Sequence, residues 1–235
     1  MREWIQQLKW QTMLLARNQM ITISIVVTAF YAGIFFALKD LPNIDKVLVA
    51  IVLNDPATIG LLFIGIAIII ERREKVLSAL FVAPMNLHIY LWSRILTLSM
   101  LGWGCALGMV LTVVGSSFHW VHFSIGVIGV SMLCCIVGVW LVSYSNSFMD
   151  FALKSFPILV LFVNLPLLNY LGLYDVPFFK YLPIQGSMDL IINAFEEKPN
   201  QRELQWGYLS ILFWGGIFYG VAYRAFLKKV VREEM

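Results

Sequence analysis

The side chains able to do chemistry in this sequence are few. His88, His119 and His122 are its three histidines, too scattered to supply the three or four clustered ligands that zinc and iron centres use. The stretch GSSFH, Gly115 to His119, sets two serines before a histidine, but no acid or oxyanion arrangement accompanies them, and it reads as a helix-terminating turn. No G-x-x-x-x-G-K-[ST] run occurs, so the chain lacks the glycine-rich loop that wraps nucleotide phosphates in backbone amides. Cys105, Cys134 and Cys135 all fall in apolar runs, where a thiol behaves as a small hydrophobe and no disulfide is expected. The chain is not expected to be an enzyme.

Two polar stretches stand out against that background. ERREKVLSALFVAP, Glu71 to Pro84, follows the apolar run LLFIGIAIII without a spacer. NDP, Asn54 to Pro56, lies inside the same long apolar run. Pro56 removes a backbone donor and crowds the carbonyl one turn earlier, so the helix is expected to kink or restart there. Asp55 would then cap the new helix beside Asn54, or carry a charge into a transport pathway. A carboxylate at that depth costs about 2.5 to 3.5 kcal/mol on insertion scales, so it should face protein or water.

The elements that hold these residues follow from composition. Hydrophobic residues make up 60% of the chain and charged residues 13%, against roughly 25% charged in a soluble domain; the mean hydropathy is +0.81. This is the composition of an integral membrane protein. Backbone groups in lipid must be bonded internally, so its apolar runs are helices. Six runs approach the roughly 20 residues needed to cross a bilayer: Met20 to Leu38, Val47 to Ile70, Ile95 to Gly115, Phe123 to Tyr144, Ser155 to Leu173 and Gly207 to Leu227. The fold class is therefore all-α and polytopic, with both termini on one face. Lys39, Lys46, Lys180, Lys198 and Arg202 fall on the opposite face, leaving the other 12 of the 17 basic residues on the terminal side. Basic residues mark the cytoplasmic face, so both termini are expected there, in a multi-pass protein of the cell (plasma or inner) membrane.

The single transmembrane domain 1–235 divides into a leader (1–19), spans 1 and 2 (20–70), the charged segment (71–84), spans 3 to 5 (95–173), an external lid (174–206), span 6 (207–227) and a cytoplasmic tail (228–235). The leader has no apolar core or cleavage site of a signal peptide, so the first span is expected to serve as its own insertion signal. Met1, Trp4, Ile5, Leu8, Thr12 and Leu15 share a helical face opposite Arg2, Glu3, Gln6, Gln7 and Lys9, which suits a helix lying in the membrane interface. In the lid, Ser187 is placed to cap a short external helix presenting Met188, Ile191, Ile192 and Phe195. Gly104/Gly108 and Gly216/Gly220 have G-x-x-x-G spacing, expected to bring helices together within one subunit.

In the charged segment Glu71, Glu74, Lys75 and Ser78 fall on one side of a helix, and Val76, Leu77, Leu80 and Phe81 on the other. Pro84 ends it. A stop-transfer signal needs only the charges. An amphipathic helix in addition suits docking into a groove on a soluble partner.

The stretch FIGIAIIIERREKVLSALFVAPMNLHIYLWSRILTL resembles the second-span, coupling-helix and third-span region of type-2 ATP-binding-cassette (ABC) exporter permeases. It has the acidic residue at the membrane exit, the basic residues, the -LxAL- run, a proline, and a tyrosine and a basic residue before the next helix. LNDPATIGLLFIG, Leu53 to Gly65, is similar to the small drug-export permeases of that family, including those grouped with fluoroquinolone exporters. The resemblance implies a half-size permease that pairs with a second copy of itself or a similar chain and binds two copies of a separate ATPase, which would hold the ATP and Mg. It also implies that Glu71, Arg72 and Arg73 form the exit motif, that Leu77, Leu80 and Phe81 enter the ATPase groove, and that Glu74 and Lys75 belong to the same docking segment. The function so implied is export of a hydrophobic or amphipathic compound (drug, peptide or lipid-like) by alternating access, with no nucleic acid involved. A non-transporting scaffold, immunity or sensor protein would also need such a docking helix and is the rival reading. A gradient-driven transporter fits less well, because Asp55 is the one acidic residue clearly within a span.

Overall fold

The computed structural model describes residues 2–38, 44–77, 86–172 and 177–231. All of the regular structure among them is helical. In chain order the α-helices are α1 (Arg2–Arg17), α2 (Met20–Leu38), α3 (Ile44–Thr58), α4 (Ile64–Arg73), α5 (Leu87–Val113), α6 (Trp120–Ser143), α7 (Phe148–Leu159), α8 (Leu165–Tyr170), α9 (Gln185–Ala194) and α10 (Gln201–Phe226). Single π-helical turns at Ile59–Phe63 and Val160–Asn164 join α3 to α4 and α7 to α8, and a third, Leu227–Val231, extends α10.

Six helical stretches are long and apolar enough to cross a membrane: Met20–Ala37, Lys46–Arg73, Leu87–Val113, Trp120–Ser143, Phe148–Tyr170 and Gln201–Val230. Several run past the apolar runs. Span 3 starts at Leu87, where the Asn86 side chain accepts from the His88 amide, and span 5 starts at Phe148, where Ser147 accepts from the Asp150 amide. These caps satisfy donors that hydropathy alone cannot place.

Span 4 (α6) is the axis of the bundle. Of its most apolar stretch 78% is buried, against 17% for span 1. Lipid tails are as apolar as leucine, so helices here are held by close van der Waals packing rather than by exclusion of water. Gly60, in the π turn of span 2, illustrates the point: a Cβ there would stand 2.5 Å from the Ser131 carbonyl oxygen of span 4. Gly138 answers one turn of contact away, where a Cβ would meet the Leu61 carbonyl at 2.8 Å. The G-x-x-x-G glycines behave differently. Nothing lies within 4 Å of the Cβ position at Gly104, Gly108, Gly216 or Gly220, so they do not serve packing inside the subunit, contrary to the expectation from their spacing.

Span 2 passes through Pro56 without breaking. Pro56 is interior to α3, so Asp55 does not cap a new helix. The irregularity falls three residues later, in the π turn, a local change of register.

The helix in the lid is also set differently from expectation. α9 begins at Gln185, Ser187 is buried inside it, and it makes no cap. Met188, Leu190, Ile191 and Ala194 are buried between spans 4 and 6, so α9 is inserted into that end of the bundle rather than laid across it. α1 packs on span 3 through part of its surface. Its buried positions are Gln11 and Leu15, while Ile5, Trp10 and Met13 are exposed.

Candidate functional site

The residues of the charged segment gather at the end of the bundle where α1 packs on span 3. α4 ends at Arg73, and the chain turns through Lys75 at φ +55°, a left-handed conformation uncommon outside glycine. The Glu74 amide donates to the Ile70 carbonyl at 2.9 Å and the Lys75 amide to that of Arg72 at 3.1 Å, closing the helix end. Ser78, Leu80, Phe81 and Pro84, and with them most of the expected coupling helix, lie outside the described residues. Leu77 is wholly buried.

Glu71 is not on a solvated face. It is 6% exposed, and its carboxylate is met by the Arg94 guanidinium and the Tyr90 hydroxyl, both of span 3. Arg94 Nη1 donates to Glu71 Oε2 at 2.8 Å, Arg94 Nη2 pairs with Oε1, and the Tyr90 hydroxyl donates to Oε2 at 2.5 Å. Arg94 Nε then donates to Gln11 Oε1 of α1 at 3.1 Å. The fork geometry of a guanidinium suits a carboxylate held in two places at once. The network thus ties the end of span 2, the start of span 3 and α1 to one another, and explains why Gln11 rather than Ile5 faces inward. A cavity of about 140 Å³ lies beside it, between α1 and α4. Arg72 reaches across to the Ser145 carbonyl at the end of span 4, 3.0 Å away. Arg73, Glu74 and Lys75 are exposed.

The place of Arg94 in this network was not expected from the sequence. The available signal was Tyr90 and Arg94 at i,i+4, on one face of a helix whose remainder is apolar. Nearby, His88 Nδ1 lies 2.8 Å from the Tyr219 hydroxyl, and its ring stacks on Tyr223 at 4.1 Å. Spans 3 and 6 are therefore joined at the same end as the network.

Asn54, Asp55 and Pro56 form a second locus, remote in sequence from the ion pair. Asn54 Nδ2 donates to the Ala50 carbonyl one turn back at 3.0 Å. Asp55 Oδ2 is buried without a hydrogen-bond partner. Pro56 lies against Gly102 of span 3. Two residues on, Gly104 and Cys105 line an open groove of about 470 Å³ between spans 1 and 3, with Thr28 and Ala29 on its other wall. A lone buried carboxylate oxygen at the margin of such a groove is costly unless a cation or water reaches it. Among the described residues no set of three or more His, Cys, Asp or Glu is placed to hold a metal ion.

Six spans around a buried axis, with an ion-paired turn between the second and third, make a multi-pass membrane protein of the permease class. The chain belongs to the fluoroquinolones export permease protein family, whose model matches residues 2–234. It is similar to two Mycobacterium tuberculosis proteins, from strains CDC 1551 / Oshkosh and H37Rv, each named a fluoroquinolones export permease protein. Each is 24% identical over 147 residues, which is 63% of this chain and 62% of the relative. The match thus spans a little under two thirds of those relatives' length.

Proposed function

We propose that this chain is the membrane subunit of an ABC-type exporter, moving a hydrophobic or amphipathic compound outward, with fluoroquinolone-like drugs as the first substrates to try. Both termini and the segment Glu71–Pro84 face the cytoplasm in this reading, and the segment docks on a separate ATPase that holds ATP and Mg. Two copies of the chain and two of the ATPase make the working unit. The observation that carries the proposal is the buried Glu71–Arg94–Tyr90–Gln11 network. A loop needed only to stop translocation has no use for a desolvated ion pair at its root. A loop that must pass force into spans 2 and 3 without yielding does. Leu77 is taken up by the chain's own core, so Leu80 and Phe81 are left as the apolar surface for the partner.

The open glycines bear on the pairing of copies. Gly104 and Gly108 leave the span 1–span 3 groove shallow enough for another helix to approach closely, and Asp55 lies at the margin of that groove. A path between two copies would place this carboxylate where a cationic substrate could meet it.

The test is co-purification. Leu80→Asp with Phe81→Asp puts two charges on the docking face, costing several kcal/mol of association if that face is buried. A co-expressed partner ATPase should then be lost from the purified permease while membrane insertion is unchanged. Retention of the ATPase with full export activity would return the segment to an ordinary loop.

A further inference from the structure

The lid end of the bundle holds a composite pocket unconnected with the ion-pair network. One part is a polar cleft of about 380 Å³ lined by Lys180, Gln185, Asp189, Arg202 and Glu203. The other is an apolar cleft of about 410 Å³ lined by Leu209, Phe213 and Trp214. Tyr181 and Trp206 belong to both, their rings meeting edge to face with centroids 6.3 Å apart. The aromatic pair is thus a shared wall between a charged half and an oily half.

Three observations say that the polar half is built to take a charged group. Gln185 is 7% exposed, and its Oε1 is buried with no hydrogen-bond partner, although its Nε2 donates to Asp189 Oδ1 at 2.6 Å. An orphaned acceptor in so enclosed a place is costly unless a donor arrives. Glu203 is held in place by the amides of Asn193 at 3.1 Å and Asn200 at 3.0 Å. Finally, both signs of charge are present, with Asp189 and Glu203 opposite Lys180 and Arg202. Burial pushes the Asp189 carboxyl up to about 6, with the Glu203 charge adding to the shift and the Gln185 bond and the Lys180 charge opposing it. The site is therefore charged at neutral pH and loses its buried anion on mild acidification.

The apolar half fixes where the rest of the ligand goes. Leu209 and Phe213 are each 62% exposed on the outside of span 6, about one and about two turns beyond Trp206. From Glu203 to Phe213 the helix rises about 15 Å, the length of a long alkyl chain. Trp and Tyr at the change from charged to apolar residues are the usual markers of the membrane–water boundary.

We propose that this pocket binds a zwitterionic amphiphile, its ammonium against Asp189, Glu203 and the Trp206 ring, its anion against Lys180 and Arg202, and its tail along Leu209 and Phe213. Carboxylates and aromatic faces together favour an ammonium over a neutral head. The same chemistry is offered by an outer-leaflet phospholipid and by a zwitterionic compound that is not a lipid. The site does not depend on ATPase coupling, and its failure would leave the proposed function untouched.

The full chain, purified in maltoside micelles, is titrated at pH 7.5 with lysophosphatidylethanolamine, with lysophosphatidylglycerol of the same acyl chain, and with dodecyl sulfobetaine, and retention is read by native mass spectrometry. Retention of the ethanolamine lipid should exceed that of the glycerol lipid about tenfold, and at pH 5 the preference should vanish. Asp189→Asn should remove the preference without removing tail-driven binding, and Trp206→Ala should weaken all three ligands. Sulfobetaine binding as well as the ethanolamine lipid says that the charge pattern is read whatever the source; its exclusion says that the phospholipid headgroup is the ligand. Equal retention of the two lipids by the unaltered chain, or a preference indifferent to Asp189→Asn and to pH, overturns the proposal.

Discussion

Arg94→Met tests the network at the root of the charged segment. Methionine keeps much of the volume of the arginine stem but removes the guanidinium, leaving the Glu71 carboxylate 6% exposed with the Tyr90 hydroxyl as its remaining described partner. Removing one member of a buried ion pair costs about 3 to 5 kcal/mol, because the other charge is left desolvated. For a chain of this size about 1 kcal/mol shifts the melting temperature by roughly 2 to 4 °C, so a fall of about 6 to 20 °C is expected. The measurement is a thermal melt of detergent-purified protein followed by tryptophan fluorescence. Glu71→Gln combined with Arg94→Met removes both charges, and two neutral groups of similar size commonly restore much of what one orphaned charge loses. The double variant should therefore melt above Arg94→Met alone, with a coupling of about 2 kcal/mol or more between the sites. A single variant that melts within about 2 °C of the parent, or a double variant whose loss is the sum of the two singles, would refute the reasoning. In that case the pair is a solvated contact, and the segment has no rigid root.

Single cysteines at Ser78 and Asn200 in a cysteine-free background should label from opposite faces of the membrane; labelling of both from outside would reverse the topology and remove the docking surface. Asp55→Asn should leave expression unchanged, because α3 runs through this position and there is no cap to lose, and should melt no lower than the parent, because it removes a buried carboxylate without a partner, while export of a cationic substrate falls about tenfold, the loss of about 1.4 kcal/mol of charge contact; undiminished export would make the carboxylate a bystander. At the lid, the native carboxyl of Asp189 titrates at about 6 against an ordinary 3.8. Its contribution to stability is therefore full below pH 3.8 and is lost as pH rises through 6. Asp189→Asn should raise the melting temperature at pH 7.5 and leave it nearly unchanged near pH 4.5, and the opposite pattern would mean that the carboxylate is paired rather than desolvated.

The six spans were legible because hydropathy is a sum over some twenty residues and survives errors at any one of them. The helix ends were less so. Span 3 begins at Leu87 because Asn86 caps it, and a cap is one side chain, invisible to a window average. Gln11 belongs to neither face of α1 read from the sequence, yet it is buried. In lipid the rule that apolar residues face inward loses its force, and a single hydrogen bond to Arg94 outweighs the preference of Ile5 or Met13 for an apolar neighbour that lipid supplies equally well. The same argument covers Glu71. Periodicity grouped it with Glu74 and Lys75, and only knowledge that Arg94 comes to the same level could have moved it inside. The glycines are the converse case: spacing identified a stripe, and three-dimensional packing leaves that stripe open.

Pro56 and Pro157, two of the prolines within spans, share a feature that no single-position rule contains. Pro56 precedes the π turn Ile59–Phe63 by three residues, and Pro157 precedes the π turn Val160–Asn164 by the same interval. Each proline withholds one donor from the helical ladder, and in hydrocarbon the freed carbonyl must be satisfied nearby. The π turn that follows each proline is a local change of register within an unbroken span. In span 2 its placement has a mechanical consequence. From Ile64 to Arg73 the helix is regular, so a displacement at Glu71 is carried along α4 with little loss. It arrives at the turn where Gly60 is pressed against Ser131 of the buried axis, which leaves that point the least free to translate. Beyond it α3 carries Asp55 and Pro56, the latter against Gly102 of span 3. The ion pair, the π turn and Pro56 thus lie in series along span 2, and Gly102 is two residues from Gly104 in the wall of the groove between spans 1 and 3.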